Sequence, residues 1–312
     1  MVPPDKQLAA YLEASAQSYG GQLLPLMTVP PDCNMPLRIE LGSQPLGCCH
    51  VIGNTFAVIF YFEPCILFFE LKSNGELIEV GAIRGVDCLG QSFRLFPPWA
   101  ATRPYNHPRG QTVNLGPKAT MVVSANASRT FYAINPPGLM SEEGEPWRFT
   151  NAFTLPDHDD GKYRFVHAAH IDGFGNITTV ESTGDLILPW WHCTYSWPGG
   201  HRPVKLESAK PQLDNLYYLY GIGKRRGEEV PWFVTDSRCE HQRGLYRGDD
   251  LIIPEITGTG VCFLDDGTCI VTEYGCEKRH RTGDSIIAHR KSGGGDPGSI
   301  TIIPAACLPP II

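Results

Sequence analysis

The 312-residue chain contains no Cys-x-x-Cys pair, no Gly-x-Ser-x-Gly elbow and no GxxxxGK[ST] phosphate loop. Cysteine pairs at short spacing are what a tetrahedral structural zinc site requires, so none is expected. Without the elbow or the loop there is no local sign of a phosphate-binding loop or of a nucleophilic serine, and Ser124, Ser182 and Ser237 carry no such signal; a triad set by geometry alone stays open. No apolar run reaches the ~18 residues of a membrane-spanning helix. The nearest approach, residues 56–71, is broken by Glu63, Pro64 and Glu70. Basic blocks are missing as well. The formal charge is −7, and Lys224-Arg225-Arg226 and Lys278-Arg279-His280-Arg281 each follow a strand-like segment and read as solvated loops. Nucleic acid is therefore not an expected partner, and neither is a membrane. Helical patterning is scarce: only Lys6 to Ser18 gathers Leu8, Tyr11 and Leu12 on one face before Gly20-Gly21 stops it. There is no basic-then-apolar leader, so a secreted form would have lost its leader ahead of Met1.

What the chain has instead is punctuation. With 33 Gly, 27 Pro and 42% hydrophobic residues, it has material for both a core and many turns, which favours sheet. The most legible stretch is Ile256 to Gly275. Gly258 to Leu264 reads as a strand, Asp265-Asp266-Gly267 as a turn and Thr268 to Glu273 as a β-branched return strand. Similar units centre near residues 63, 127, 174 and 225, giving a diverged repeat of about 50 residues with about four strands each. Such a repeat predicts an all-β fold, a β-propeller of five blades, or six if Leu37 to Leu41 starts another sheet. A β-sandwich or jelly roll is the alternative. The expected organisation is a short N-terminal helix and proline-rich connector over 1–45, then the propeller over 46–312.

Eleven cysteines and two sequons, Asn126-Ala127-Ser128 and Asn176-Ile177-Thr178, point to disulfides, glycosylation and a secretory or extracellular location. A cytoplasmic protein with reduced thiols is the alternative.

The segment GVCFLDDGTCIVTEYG resembles the blade signature of the gluconolactonase, strictosidine-synthase and NHL group of propellers, and Trp232-Phe233-Val234-Thr235-Asp236 resembles its second half. That resemblance implies a propeller. For the metal-dependent lactonases of the group it also implies a divalent ion held by acidic and Asn residues, but the usual Glu-Gly-Pro opening is missing here and no matched ligand set carries over. In its proline- and cysteine-rich, aromatic-looped character the chain is also similar to fungal secondary-metabolite proteins, including those that join tropolone and sesquiterpene units by hetero-Diels–Alder addition.

Candidate chemistry rests on polar groups at strand ends and on aromatic loops. The hairpin alignment places Asn135, Glu181 or Ser182, Asp236 and Glu273 at equivalent ends, where they could ring one mouth of the channel or simply cap turns. His167 and His170, three apart on a strand, point to opposite faces unless the strand is bulged, so they are not expected to share a metal. One of them, taken as His170, could face the channel as an acid, base or donor. The catalytic candidates are thus His170, Glu181, Asp236 and Glu273. The run Pro189 to Trp197 reads as an aromatic connector that walls an apolar site or folds onto blade edges. Trp190, Trp191, His192, Tyr218, Tyr220, Trp232 and Tyr274 are the substrate-binding candidates. A pocket of aromatics with few carboxylates suits chemistry driven by proximity. The expectation is a cyclase with no cofactor and no metal, acting on hydrophobic polyketide or terpenoid substrates. The alternatives are a divalent-metal lactonase and a non-catalytic ligand- or glycan-binding propeller.

Overall fold

The computed structural model describes residues 26–30, 33–41, 45–60, 65–84, 98–102, 121–125, 129–135, 148–172, 174–183, 190–199, 202–211, 219–235, 243–273 and 298–311. Two short strands come first, β1 (Met27–Thr28) and β2 (Leu37–Glu40). Blade 1 holds β3 (Pro45–Ile52), β4 (Thr55–Phe60), β5 (Cys65–Leu71) and β6 (Glu76–Arg84). Blade 2 holds β7 (Pro98–Thr102), β8 (Met121–Ala125), β9 (Thr130–Asn135) and β10 (Arg148–Thr154). In blade 3 are β11 (Phe165–Ile171), β12 (Asn176–Ser182), β13 (Trp190–Ser196) and β14 (Lys205–Pro211). Blade 4 follows with β15 (Leu219–Gly223), β16 (Trp232–Thr235), β17 (Gly244–Arg247) and β18 (Asp250–Pro254). Blade 5 consists of β19 (Gly260–Phe263), β20 (Cys269–Glu273) and β21 (Ser299–Ile303), with β2 as its outer strand.

The first strands β3, β7, β11, β15 and β19 neighbour one another in that order, and β19 returns to β3. The chain is a five-bladed β-propeller. The Leu37–Glu40 segment does not begin a sixth sheet. It pairs antiparallel with β21, so an N-terminal strand completes the last blade and ties the two ends of the ring together. β1 likewise adds an edge to blade 1, so the proline-rich stretch supplies two blade-edge strands. The helix expected over Lys6 to Ser18 lies outside the described residues. Among those residues the one helical element is a 3-10 turn at Ala305–Cys307, and no helix is long and apolar enough to cross a membrane.

Burial explains the composition of the strands. β4 (TFAVIF), β19 (GVCF) and β16 (WFVT) are buried at every position because blades cover both their faces, so they read as unbroken apolar runs. Outer strands such as β14 (KLESAKP) stay half wet and polar. The seams between blades form the core: Phe131, Phe153, Val166, Tyr195 and Trp197 between blades 2 and 3, and Phe56, Phe69, Cys262 and Ile300 between blades 5 and 1. At Gly260 the blades approach so closely that a Cβ would lie 2.6 Å from the Cα of Gly47. Only glycine allows that contact.

The Asp265-Asp266-Gly267 hairpin forms as its sequence indicates. Gly267 takes φ 85°, Asp266 Oδ1 accepts the Thr268 amide at 2.8 Å, and Phe263 pairs with Cys269. Among the described residues, cysteines expected in disulfides are reduced. Cys33, Cys48, Cys193, Cys262, Cys269 and Cys307 carry free thiols. Most of these sit in seams, where cysteine acts as a small hydrophobe.

Candidate functional site

In every blade the first strand starts, and the second ends, on the same face of the ring, the start face; the first strand ends, and the second starts, at the opposite or turn face. Pro45 pairs with Phe60, Pro98 with Ala125, Phe165 with Ser182 and Leu219 with Thr235. Glu181 and Ser182 at the end of β12 therefore share the start face with Glu273 at the end of β20. Asn135 does not. It ends a third strand, β9, near the start of β8, and so lies toward the turn face. The units aligned around residues 63 and 127 are second–third strand pairs, whereas those around 174, 225 and 266 are first–second pairs, and a slip of one strand reverses direction.

His170 also lies toward the turn face, opposite Thr178 and away from Glu181. Its Nε2 is sealed from solvent with no hydrogen-bond partner among the described residues. Burial, helped by Lys224 and opposed by Asp172, brings its pKa down to about 4. β11 does carry a bulge between Val166 and Ala168, at His167. The bulge does not make a histidine pair: His167 Nε2 meets Ser182 Oγ at 2.6 Å. Glu273 accepts from Thr257 Oγ1 at 2.5 Å and pairs with Arg38 of β2 at 3.2 Å, so it is engaged in closing the ring.

The tryptophan-rich run is not a connector but strand β13. Trp191 packs on the blade 2–3 seam, opposite Glu181, under the guanidinium of Arg164 at 3.9 Å. His192 points the other way, edge-on to Phe233 of blade 4 at 4.9 Å between ring centres. Trp232 is fully buried, donates to Glu228 and packs on Phe263. The side chains of Trp190 and Tyr220, and the whole of Tyr218, Asp236 and Tyr274, lie outside the described residues.

What the fold does bring together is a polar cluster in the seam between blades 2 and 3, built around the fully buried Glu181. Thr179, Glu181, Cys193 and Tyr195 share one face of blade 3. Arg129 enters from the start of β9, and His158 and Arg164 come from the segment between β10 and β11. Glu181 Oε1 accepts from Thr179 Oγ1 and from Tyr195 OH, both at 2.6 Å. Its Oε2 accepts from Arg129 Nη1 at 2.8 Å and from His158 Nε2 at 3.0 Å. Arg164 Nη1 lies 2.6 Å from His158 Nδ1. Since a guanidinium only donates, Nδ1 is the lone-pair nitrogen and Nε2 carries the proton given to Glu181.

Burial would raise the Glu181 pKa, yet the bonds from His158, Arg129, Thr179 and Tyr195 outweigh it and bring the pKa down to about 2. Burial and the Glu181 charge push the Cys193 thiol up to about 12 and raise the Tyr195 hydroxyl further. At neutral pH the cluster therefore holds a saturated carboxylate, a neutral thiol and a neutral phenol. None of these is an available base or nucleophile.

Donor atoms of His158, Glu181 and Cys193 lie within 4.8 Å of one another, the spacing of a metal site. Their chemistry does not fit a divalent ion. The imidazole nitrogens are taken by Arg164 and Glu181, the carboxylate is filled by donors, the sulfur is protonated, and two guanidiniums already supply the positive charge.

Beside the cluster is a cleft of about 470 Å³. Arg129 forms part of its wall with Leu155, Pro156 and Asp157 from blade 2 and Tyr163 and Val204 from blade 3. No first-strand residue lines it, so it opens along the seam and not into the channel.

No protein-family model and no curated protein matches the chain. Among solved structures, the YCF48 protein bound to a D1 peptide is similar at 8% identity and TM-score 0.31, covering 80% of this chain and 67% of that one. A candidate 6-phosphogluconolactonase from Bacteroides fragilis is similar at 10% identity and TM-score 0.31, covering 79% and 76%. Superpositions this loose carry no argument about this chain, whose fold rests on its own strand order.

Proposed function

We infer that the propeller is a cofactor-free cyclase of the hetero-Diels–Alder type, joining hydrophobic polyketide or terpenoid partners in the cleft between blades 2 and 3. One observation carries the reading: a cleft of mixed apolar and polar lining has a rigid guanidinium in its wall, and behind it Glu181, Cys193 and Tyr195 are locked in unreactive states. A cycloaddition keeps every atom of both partners and releases nothing, so it needs no nucleophile and no base. Two things accelerate it: holding the partners in register, and a donor that draws electron density from the carbonyl of the electron-poor one. Leu155, Pro156, Tyr163 and Val204 supply the first, and Arg129 supplies the second.

Hydrolytic or lactonase chemistry finds less support, because Glu181 is filled by four donors and the carboxylate on the cleft wall, Asp157, stands 80% exposed with no second carboxylate or histidine beside it among the described lining residues. The test is to incubate the protein with an o-quinone methide generated in situ and an apolar polyene, and to follow adduct formation with and without chelator. A saturable acceleration that persists under chelation supports the reading. A rate equal to the uncatalysed one removes it.

A further inference from the structure

Arg129 has five N–H groups, and four of them have partners. Nη1 donates to Glu181 Oε2 at 2.8 Å and to the Arg164 carbonyl at 3.1 Å; Nη2 donates to the Pro156 carbonyl at 2.6 Å and to Tyr195 OH at 2.9 Å. The fifth, on Nε, is buried and has no hydrogen-bond partner among the described residues. The nearest counter-charge is Asp157 Oδ1 at 3.8 Å, close enough for attraction and too far for a hydrogen bond. Arg129 is 4% exposed, whereas the Asp157 side chain is 80% exposed. The donor is therefore fixed by its other four bonds and sealed from solvent, and an oxygen in the cleft reaches it once the exposed Asp157 carboxylate beside it swings aside.

We propose that Arg129 Nε–H docks a neutral carbonyl oxygen of the ligand in this cleft, and that Asp157 selects against carboxylates there. This rests on the reading of the cleft as a ligand site and not on the cycloaddition. A buried donor with no acceptor is an unpaid cost in the free protein, and an incoming oxygen that fills it removes that cost. A ketone or enone oxygen does so without charge. A carboxylate meets Asp157 at the cleft wall and the fully buried Glu181 behind the same guanidinium, so it must share one cation with two like charges. Leu155, Pro156, Tyr163 and Val204 favour an apolar body on either ligand and do not discriminate. Discrimination falls to Arg129 and Asp157.

Benzalacetone and cinnamate share a skeleton and differ by a methyl group against a charged oxygen, which makes them the probes. Titration of the full chain by isothermal calorimetry is expected to give affinity for benzalacetone about tenfold higher than for cinnamate. Asp157→Asn is expected to raise cinnamate affinity several-fold, leaving benzalacetone within about twofold. Pro203 also lines the cleft and is exposed, so Pro203→Trp fills the cleft and is expected to abolish both. The proposal is overturned if neither probe binds, if cinnamate binds as well as the ketone, if Asp157→Asn leaves the ratio unchanged, or if binding survives Pro203→Trp. Selectivity with no turnover removes only the cycloaddition, and turnover without selectivity removes only this inference.

Discussion

Arg129 Nη1 lies 2.8 Å from Glu181 Oε2 with both side chains out of water, which locks blade 2 to blade 3. Breaking such a pair from one side strands the other charge at a cost of about 3 to 5 kcal/mol. Glu181→Gln is therefore expected to lower the urea midpoint sharply. Adding Arg129→Met should recover part of the loss. A single variant as stable as wild type would mean that the pair does not hold the seam.

Acid should weaken the fold in two separate steps. His170 and His192 are kept neutral by burial, their pKa values lying below the unfolded value near 6.5. The unfolded chain thus binds more protons between about pH 6.5 and 4, and stability falls as pH drops through that window. For His170 the loss by pH 5 is about 2 kcal/mol. Glu181 is shifted in the same direction for the opposite reason, because its charged form is favoured: its stabilisation is complete above about 4.5 and is lost as pH falls toward about 2. Urea midpoints measured from pH 7.5 to 5 should decline in wild type and decline less in His170→Leu.

With its thiol pushed up to about 12, Cys193 carries roughly one thiolate in 10⁴ at pH 8. Iodoacetamide followed by peptide mass spectrometry should leave Cys193 unmodified in the native protein and alkylate it in urea. Prompt native labelling would contradict its placement in the seam.

Ring closure depends on β2. Ile39 pairs with Ile300 and packs against the blade 5–1 seam, so Ile39→Asp puts a charge against apolar neighbours. A fall in Tm of several degrees is expected by thermal melting, whereas Lys205→Asp on the exposed outer strand of blade 3 should change little.

The fold was legible where turn chemistry and repetition agree, as in the Asp265-Asp266-Gly267 hairpin. It was less so around Ala125 to Arg129, because a second–third strand hairpin looks like a first–second one when only apolar–polar–apolar order is visible. Trp191, Cys193, Tyr195 and Trp197 alternate with His192, Thr194 and Ser196, a strand's period of two, but the density of aromatics suggested a loop. Of the candidate site, only Glu181 stood out. Arg129, His158, Arg164 and Tyr195 come from scattered segments of two blades, and no local pattern marks residues that meet only across a seam.

Under the proposed function, the cleft between blades 2 and 3 orients two apolar partners for cycloaddition. The direct measurement is the enantiomeric composition of the adduct, by chiral chromatography, because the uncatalysed reaction of achiral partners is racemic and an oriented one is not. Wild type is expected to give a clear excess of one enantiomer, and Pro203→Trp a racemate. A racemic adduct from wild type at saturating protein would contradict the claim.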